Sequence, residues 1–336
     1  MVFDTTHREQ GVNVMTLQVL LTLWIASGLG TVFERRLYRL IIYFGIFSMI
    51  SSLVYLFLGA PDVAMAEAGI SAFTTMFFII FLGGFYKYYA AIPRESRAQH
   101  PRKRYAFAKM LVTKMLLPVA LIAGLFALFV YVMPANATPP YLKEKYLTMF
   151  MANVGGENAV AAILLSYRVY DTLFEALILV VAVVAVVHMS RFKENTVTDI
   201  PRSEIENSGM AVYTLRVICP LIVVFGIYLA LNGHIAAGGG FQGGLAVASF
   251  FICRYMIYDI YDIRVSRVML LEEMMFISII ILSAIAVFLG IYAYVPTAYL
   301  PIFQHTYLIL MNIFIGLKVT CGFFILFYRY VIIEKS

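Results

Sequence analysis

The chain has 336 residues, of which 62% are apolar and 13% charged, and a formal net charge of +6. A typical soluble domain runs at roughly 45–50% and 25%, so this chain has too little polar surface for water. That excludes a soluble enzyme, and because the basic residues gather in loops between apolar runs, the positive charge speaks of membrane topology and not of nucleic acid.

Apolar runs of about 18 residues or more recur, each able to cross a hydrocarbon core of roughly 30 Å at 1.5 Å per residue. Only helices or closed barrels cross a bilayer, and the run length selects helices. The expected fold is all-α: a polytopic transmembrane helical bundle of about nine spans, at residues 15–33, 37–58, 62–86, 109–133, 170–190, 211–231, 240–259, 268–294 and 303–328. The polar start, MVFDTTHREQGVN, lacks the positive stretch and cleavage site of a secretory signal, so the first span is expected to be retained.

Loops after odd-numbered spans carry Arg35, Arg36 and Arg39, then Arg102, Lys103 and Arg104, then Arg191, Lys193 and Arg202, then Arg264 and Arg267. The exits of even-numbered spans, such as Gly59-Ala60 and the stretch from Asn232 to Ala237, are nearly uncharged. Positive residues stay in the cytoplasm, which puts the N-terminus outside and the C-terminus inside. Polar linkers at 91–107 and 193–209 separate three membrane modules, at 1–90, 108–192 and 210–336. Between Pro134 and Val169 a moderately apolar stretch either dips into the membrane or lies along it; both readings stand.

No nucleophile elbow, phosphate loop or metal-ligand spacing appears, and Cys219, Cys253 and Cys321 read as packed core thiols. No metal, no cofactor and no catalytic residue is expected. What remains is ionisable groups inside spans, which usually face a bundle interior, a partner or water.

Pro61 suits a first helical turn, and Asp62 beside it reads as a cap or dipole partner. Glu67 lies about 7 Å further along the axis, with Ser71, Thr74 and Thr75 continuing its face. It is a candidate for proton or cation handling, or else a satisfied structural group. Arg168, Asp171 and Glu175 are spaced by three and four, which stacks them as a paired stripe on one helical face. Either the stripe is an interfacial cap, or Glu175, the deepest, is a step on an ion path. The segment from Asn232 to Gly244 holds His234 and the glycines Gly238, Gly239, Gly240, Gly243 and Gly244. So many glycines point to close packing against another subunit or to a bare-backbone ion path. Lys318 sits mid-span, paired or facing water, while Glu272 and Glu273 open the eighth span, where the helix dipole tolerates them.

Three stretches carry a family resemblance. GAPDVAMAEAGISAFTTMFFIIFL, residues 59–82, resembles the MbhD-type module of membrane-bound hydrogenases; YRVYDTLFEALIL looks like the MbhE-type module; GIYLALNGHIAAGGGFQGG resembles the MnhB-type module of Mrp antiporters. Ala237 stands where the MnhB-type motif has Pro, Tyr167, Val169 and Tyr170 replace the usual neighbours of Arg168, and Glu67 and Ser71 invert the antiporter pattern in favour of redox-coupled relatives. The resemblance implies a membrane subunit of a Mrp-type cation/proton antiporter module in a prokaryotic cell membrane. Its implied partners are other Mrp-type membrane subunits and a hydrogenase-like or other ferredoxin-oxidising iron–sulfur arm, with Na+ and H+ as the transported ions. Glu67, Asp171, Glu175, His234 and Lys318 are then the path candidates, and Asp62, Arg168 and the glycines the structural ones. The alternative is a scaffold that docks antiporter-like subunits to the redox arm without carrying ions.

The charge alternation yields a test of its own. Cysteines introduced in the loop at Arg102 to Arg104 and in the loop at His234 should label from the cytoplasmic and the external face, respectively, with a membrane-impermeant reagent. Labelling from the opposite faces would overturn the orientation.

Overall fold

A computed structural model of the chain describes residues 7–91, 140–189, 209–257, 264–292 and 300–335, with isolated positions between 120 and 127. These residues form helices α1 (His7–Phe33), α2 (Leu37–Phe57), α3 (Pro61–Ala91), α4 (Pro140–Val154), α5 (Ala159–Ala162), α6 (Val169–Met189), α7 (Gly209–Asn232), α8 (Gly240–Ile257), α9 (Val265–Tyr292) and α10 (Leu300–Lys335). A π-helical turn, Ile163–Tyr167, links α5 to α6. The all-α bundle expected from composition is what forms, and the described residues contain no strand. The expected span at 109–133 lies outside the described residues.

Among the described residues seven helices are long and apolar enough to cross a membrane, and an eighth span results if the bent pair across residues 155–158 counts as one. Helix α8, expected as a span, forms, and its Leu245, Ala248 and Ile252 are all but fully buried between neighbouring helices. A helix shielded by protein need not be apolar all round, and α8 can carry glycines and Gln242 at its start.

Residues Met1–Tyr86 with Phe150–Ser336 make one compact unit and Lys87–Met149 a second. In the second, Thr148 Oγ1 donates back to the Glu144 carbonyl at 2.6 Å. In the first, α10 is the centre, with Leu308, Met311, Lys318 and Ile325 fully buried. The opposite extreme is α1, whose span buries nothing within the chain.

Local chemistry sets the turns. After α2, Gly59 takes φ +76°, the left-handed conformation that ends a helix at little cost for glycine, and the Ala60 N–H bonds back to the Tyr55 carbonyl at 3.0 Å. Pro61 then starts α3 where a missing N–H costs nothing.

The glycines of α8 do allow close approach, but the approach is internal. A Cβ on Gly243 would sit 2.5 Å from the Gly226 carbonyl oxygen of α7, and one on Gly240 or Gly244 would collide with the Asn312 or Gly316 carbonyl of α10. Beside Gly240, Gly243 and Gly244 the close neighbours are two helices of the same chain, α7 and α10. Gly240→Leu should therefore prevent folding, and Gly240→Ala should lower the unfolding temperature of the purified protein by several degrees. Gly209→Ala, with nothing within 4 Å of the new methyl, should leave it unchanged or raise it slightly. Equal behaviour of the two alanine variants would refute the packing account.

Candidate functional site

Asn158, which the sequence reading passes over, sits where three parts of the chain meet. Its Oδ1 caps α5 by accepting from the Val160 N–H at 2.9 Å and the Ala161 N–H at 3.3 Å. Its Nδ2 faces Asp62 Oδ1 at 3.1 Å, the Gly233 carbonyl at 3.1 Å and the Ala236 carbonyl at 2.9 Å. The same Asp62 oxygen accepts from the Gly238 N–H at 2.9 Å, and the Asp62 carbonyl accepts from Gln242 Nε2 at 3.3 Å. From the other side the His234 carbonyl accepts both the Glu157 and the Asn158 N–H, at 2.9 and 3.0 Å. Asp62, in the first turn of α3 and 7% exposed, ties that helix to the 233–238 turn and to the start of α5.

This knot surrounds a broken helix. The chain leaves α4 through Gly155 at φ +78°, turns by 74° before α5, and breaks again at Arg168, which has φ −122° and ψ 38°. Backbone groups freed by the breaks are satisfied by protein. Gln304 Nε2 donates to the Asn153 carbonyl at 2.5 Å, Thr172 Oγ1 to Leu164 at 2.8 Å, and the Tyr307 hydroxyl to Leu165 at 2.7 Å. In a membrane, irregular backbone persists only where it is buried in protein or lines an aqueous cavity. Within residues 159–167, Ala162 and Leu165 pack inside the bundle.

Beside the break lies a cavity of about 230 Å³ lined by Asp62, Thr172, Glu175, Gln242, Asn312 and the Gly238–Gly240 backbone, among apolar residues. Asn312 Oδ1 accepts the Gly240 N–H at 3.0 Å, while its Nδ2 is buried without a partner. A second, water-sized cavity of about 10 Å³ is shared by Glu175 and Lys318. Lys318 Nζ in turn lies 3.0 Å from Glu272 Oε1, at 0% and 2% side-chain exposure. The pair is ionic by distance, but its angles do not make a hydrogen bond, so both atoms keep unused hydrogen-bonding capacity. The face of Phe276 stands 5.7 Å from the ammonium.

Two sequence expectations change here. Glu272 does not sit at the start of its helix under the dipole, because α9 begins at Val265 and the dipole effect fades within the first turn. Glu273, next to it, is exposed. The Arg168–Asp171–Glu175 stripe divides: Arg168 and Asp171 pair at 2.5 Å on the surface, and Glu175 turns toward the Lys318 cavity. The break at Arg168 takes it out of helical register with α6.

Glu67 occupies a separate seam between α2 and α3. It accepts from the Ser48 hydroxyl, Ser52 Oγ donates to the Ala64 carbonyl at 2.7 Å, and Gly45 lets Thr75 lie within contact distance. Ser71 is buried, Thr74 donates back to Ile70 at 2.7 Å, and the buried Thr75 hydroxyl has no partner. His234, 4% exposed, stacks edge-on with His305 at 4.5 Å between ring centroids, and neither of its ring nitrogens makes a hydrogen bond of normal geometry. Burial, and then the neighbouring His305, hold its imidazole below the ordinary value, so it stays neutral at neutral pH. The three cysteines are free and buried, as their apolar settings suggest, and the described residues hold no cluster of three or more metal-ligating side chains.

Comparison with known proteins falls into line with these parts. Residues 22–86 match the MbhD family, described as the D subunit of MBH, and residues 112–201 the MbhE family, described as the E subunit of MBH. Residues 210–325 match the domain related to MnhB subunit of Na+/H+ antiporter. A putative antiporter subunit mnhA2 of Staphylococcus saprophyticus is 27% identical over 183 residues, covering 54% of this chain and 21% of the relative. A probable K(+)/H(+) antiporter A/B subunit of Rhizobium meliloti is 24% identical over 255 residues, 69% of this chain and 25% of the relative. The uncharacterized protein MJ1307 of Methanocaldococcus jannaschii is 37% identical over 127 residues, 34% of this chain and 47% of the relative. The chain thus spans less than half the length of each of these relatives. Among solved structures, the Mrp complex from Dietzia sp. DQ12-45-1b shares the fold at 21% identity, with a TM-score of 0.62 over 91% of this chain and 34% of that chain.

The knot gives a direct stability test. Asn158→Ala removes a helix cap and leaves buried carbonyls and Asp62 without their donor, which should cost on the order of 3 kcal/mol. A fall in the thermal unfolding temperature of the purified protein is the expected outcome; an unchanged one would show that the knot holds nothing together.

Proposed function

We propose that this chain, which joins MbhD-, MbhE- and MnhB-type segments in one polypeptide, is an ion-path subunit of a Mrp-type cation/proton antiporter complex. It is a multi-pass protein of a prokaryotic cell membrane. In our reading it carries Na+ or H+ between other membrane subunits, has no catalytic chemistry of its own, and works beside a hydrogenase-like or other ferredoxin-oxidising arm. The N-terminus faces outward and the C-terminus the cytoplasm, following the loop charges.

The observation that carries this reading is the run of ionisable side chains at membrane depth beside a broken helix: Asp62, Glu175, Lys318 and Glu272 along two adjoining cavities. Charges inside spans are costly and persist where they serve a pathway or a partner. A pure scaffold has no need of a polar cavity with an unpartnered Asn312 amide, nor of a carboxylate such as Glu67 in a seam of hydroxyls. Broken helices beside such groups are a recurrent way of building intramembrane ion sites.

Glu67 supplies the test. Glu67→Gln keeps the shape and the Ser48 contact but removes the charge, so the complex should assemble while cation-dependent proton movement in everted vesicles falls at least tenfold. Glu67→Asp should keep part of the rate. Wild-type transport by an assembled Gln variant would leave Glu67 as a structural group and favour the scaffold reading.

A further inference from the structure

Three ionisable side chains from three helices converge at the second cavity: Glu175 on α6, Lys318 on α10 and Glu272 on α9. With all three ionised they hold one positive and two negative charges, a net charge of −1. Lys318 and Glu272 are fixed against each other at 3.0 Å and shut away from any surface of the chain. Glu175 is not: it is exposed, and it lines both the water-sized cavity and the larger polar one. The other charged or titratable neighbours do not cancel the excess. Asp62, across the larger cavity, is held by the Gly238 N–H and Asn158. Arg168 and Asp171, on the same side of the bundle as Glu175, form their own neutral pair. The Cys321 thiol beside Lys318 and Glu272 adds no positive charge.

An uncompensated charge in a low-dielectric setting is expensive, and one bound proton brings this group to neutrality. We propose that Glu175, Lys318 and Glu272 form one intramembrane proton-binding site that takes up a single transferable proton on Glu175. Loading is protonation of the Glu175 carboxylate from water reaching the larger cavity, which leaves hydroxide or a deprotonated donor behind. Release returns the proton by the same atom, and the Lys318 ammonium then lies between two carboxylates. Glu272 is a positioning residue, since its charge holds Lys318 and thereby leaves Glu175 as the group in excess. The site rests on the ion-path reading, but its charge count can be read without transport.

The test is pH-difference infrared spectroscopy of the assembled complex in its membrane, in the carboxylic C=O region. Glu175→Gln should lose one protonated-carboxyl band. Glu272→Gln should lose the same band, because Lys318 then neutralises Glu175 directly. Lys318→Met should roughly double it, since two carboxylates are left without a cation, and Lys318→Arg, which keeps the charge, should leave one band. A band that persists in Glu175→Gln, or that is unaffected by Glu272→Gln, overturns the site. Lost transport in Glu67→Gln with none of these spectral changes would uphold the function and refute the site; the converse result would do the reverse.

Discussion

The need to satisfy every backbone group away from water governs this structure. A chain that breaks its helix at 155–158 and again at Arg168 leaves N–H and C=O groups that lipid cannot pair. Gln304, Thr172 and Tyr307 meet freed carbonyls, and Asn158 meets the first N–H groups of α5. With one amide it caps α5, holds two carbonyls of the 233–238 turn and meets Asp62. An amide has only two N–H groups, so three acceptors must share them, and the site is saturated. The break is therefore affordable only because α3, the α5 start and the turn before α8 are brought to the same place.

Position follows from that constraint. The break shifts the register of α6 relative to the segment before it, which frees Glu175 from Arg168 and points it at α10. The turn at 233–238 delivers α8 with its glycines against the Asn312 and Gly316 carbonyls, and so sets the depth of α10 and of Lys318. The buried Lys318–Glu272 pair adds little to stability by itself, since desolvation offsets much of its attraction. Its consequence is electrical: it fixes where a positive charge sits inside an apolar bundle.

Much of this was legible in the sequence, and what was not has physical causes. Run length and charge alternation give helices whose ends fall within a few residues of Leu37–Phe57, Val169–Met189 and Gly209–Asn232. Lys318 stands out because a lysine in mid-span has to be paired, but its partner does not, because Glu272 lies near enough to a helix start to look dipole-stabilised. With α9 starting at Val265, Glu272 lies about two turns inside the helix, buried against Lys318. The glycines announce close approach without saying to what, since a missing side chain fits a foreign helix as well as a neighbouring one. Asn158 gives the weakest signal: a polar residue before Ala-Val-Ala-Ala reads as an ordinary cap, and its long-range bonds span 75 to 96 residues.

Helix α3 stands between the two ionisable regions and belongs to both. Asp62, Ala66 and Ile70, spaced by four, face the cavity that Glu175 lines, while Ala64, Glu67 and Thr75 face the hydroxyls and Gly45 of α2. The body of α3 therefore separates the Asp62 side from the Glu67 side, with small residues, Ala64, Ala66, Ala68 and Gly69, along this stretch. Gly69 is close enough to α8 that an added methyl would meet the end of the Leu245 side chain at 2.9 Å. A displacement of α3 driven from the Glu67 seam would act directly on Asp62, and through it on Asn158 and the turn that positions α8. The polar knot thus joins, through Asp62, the helix that carries Glu67 to the turn that precedes α8.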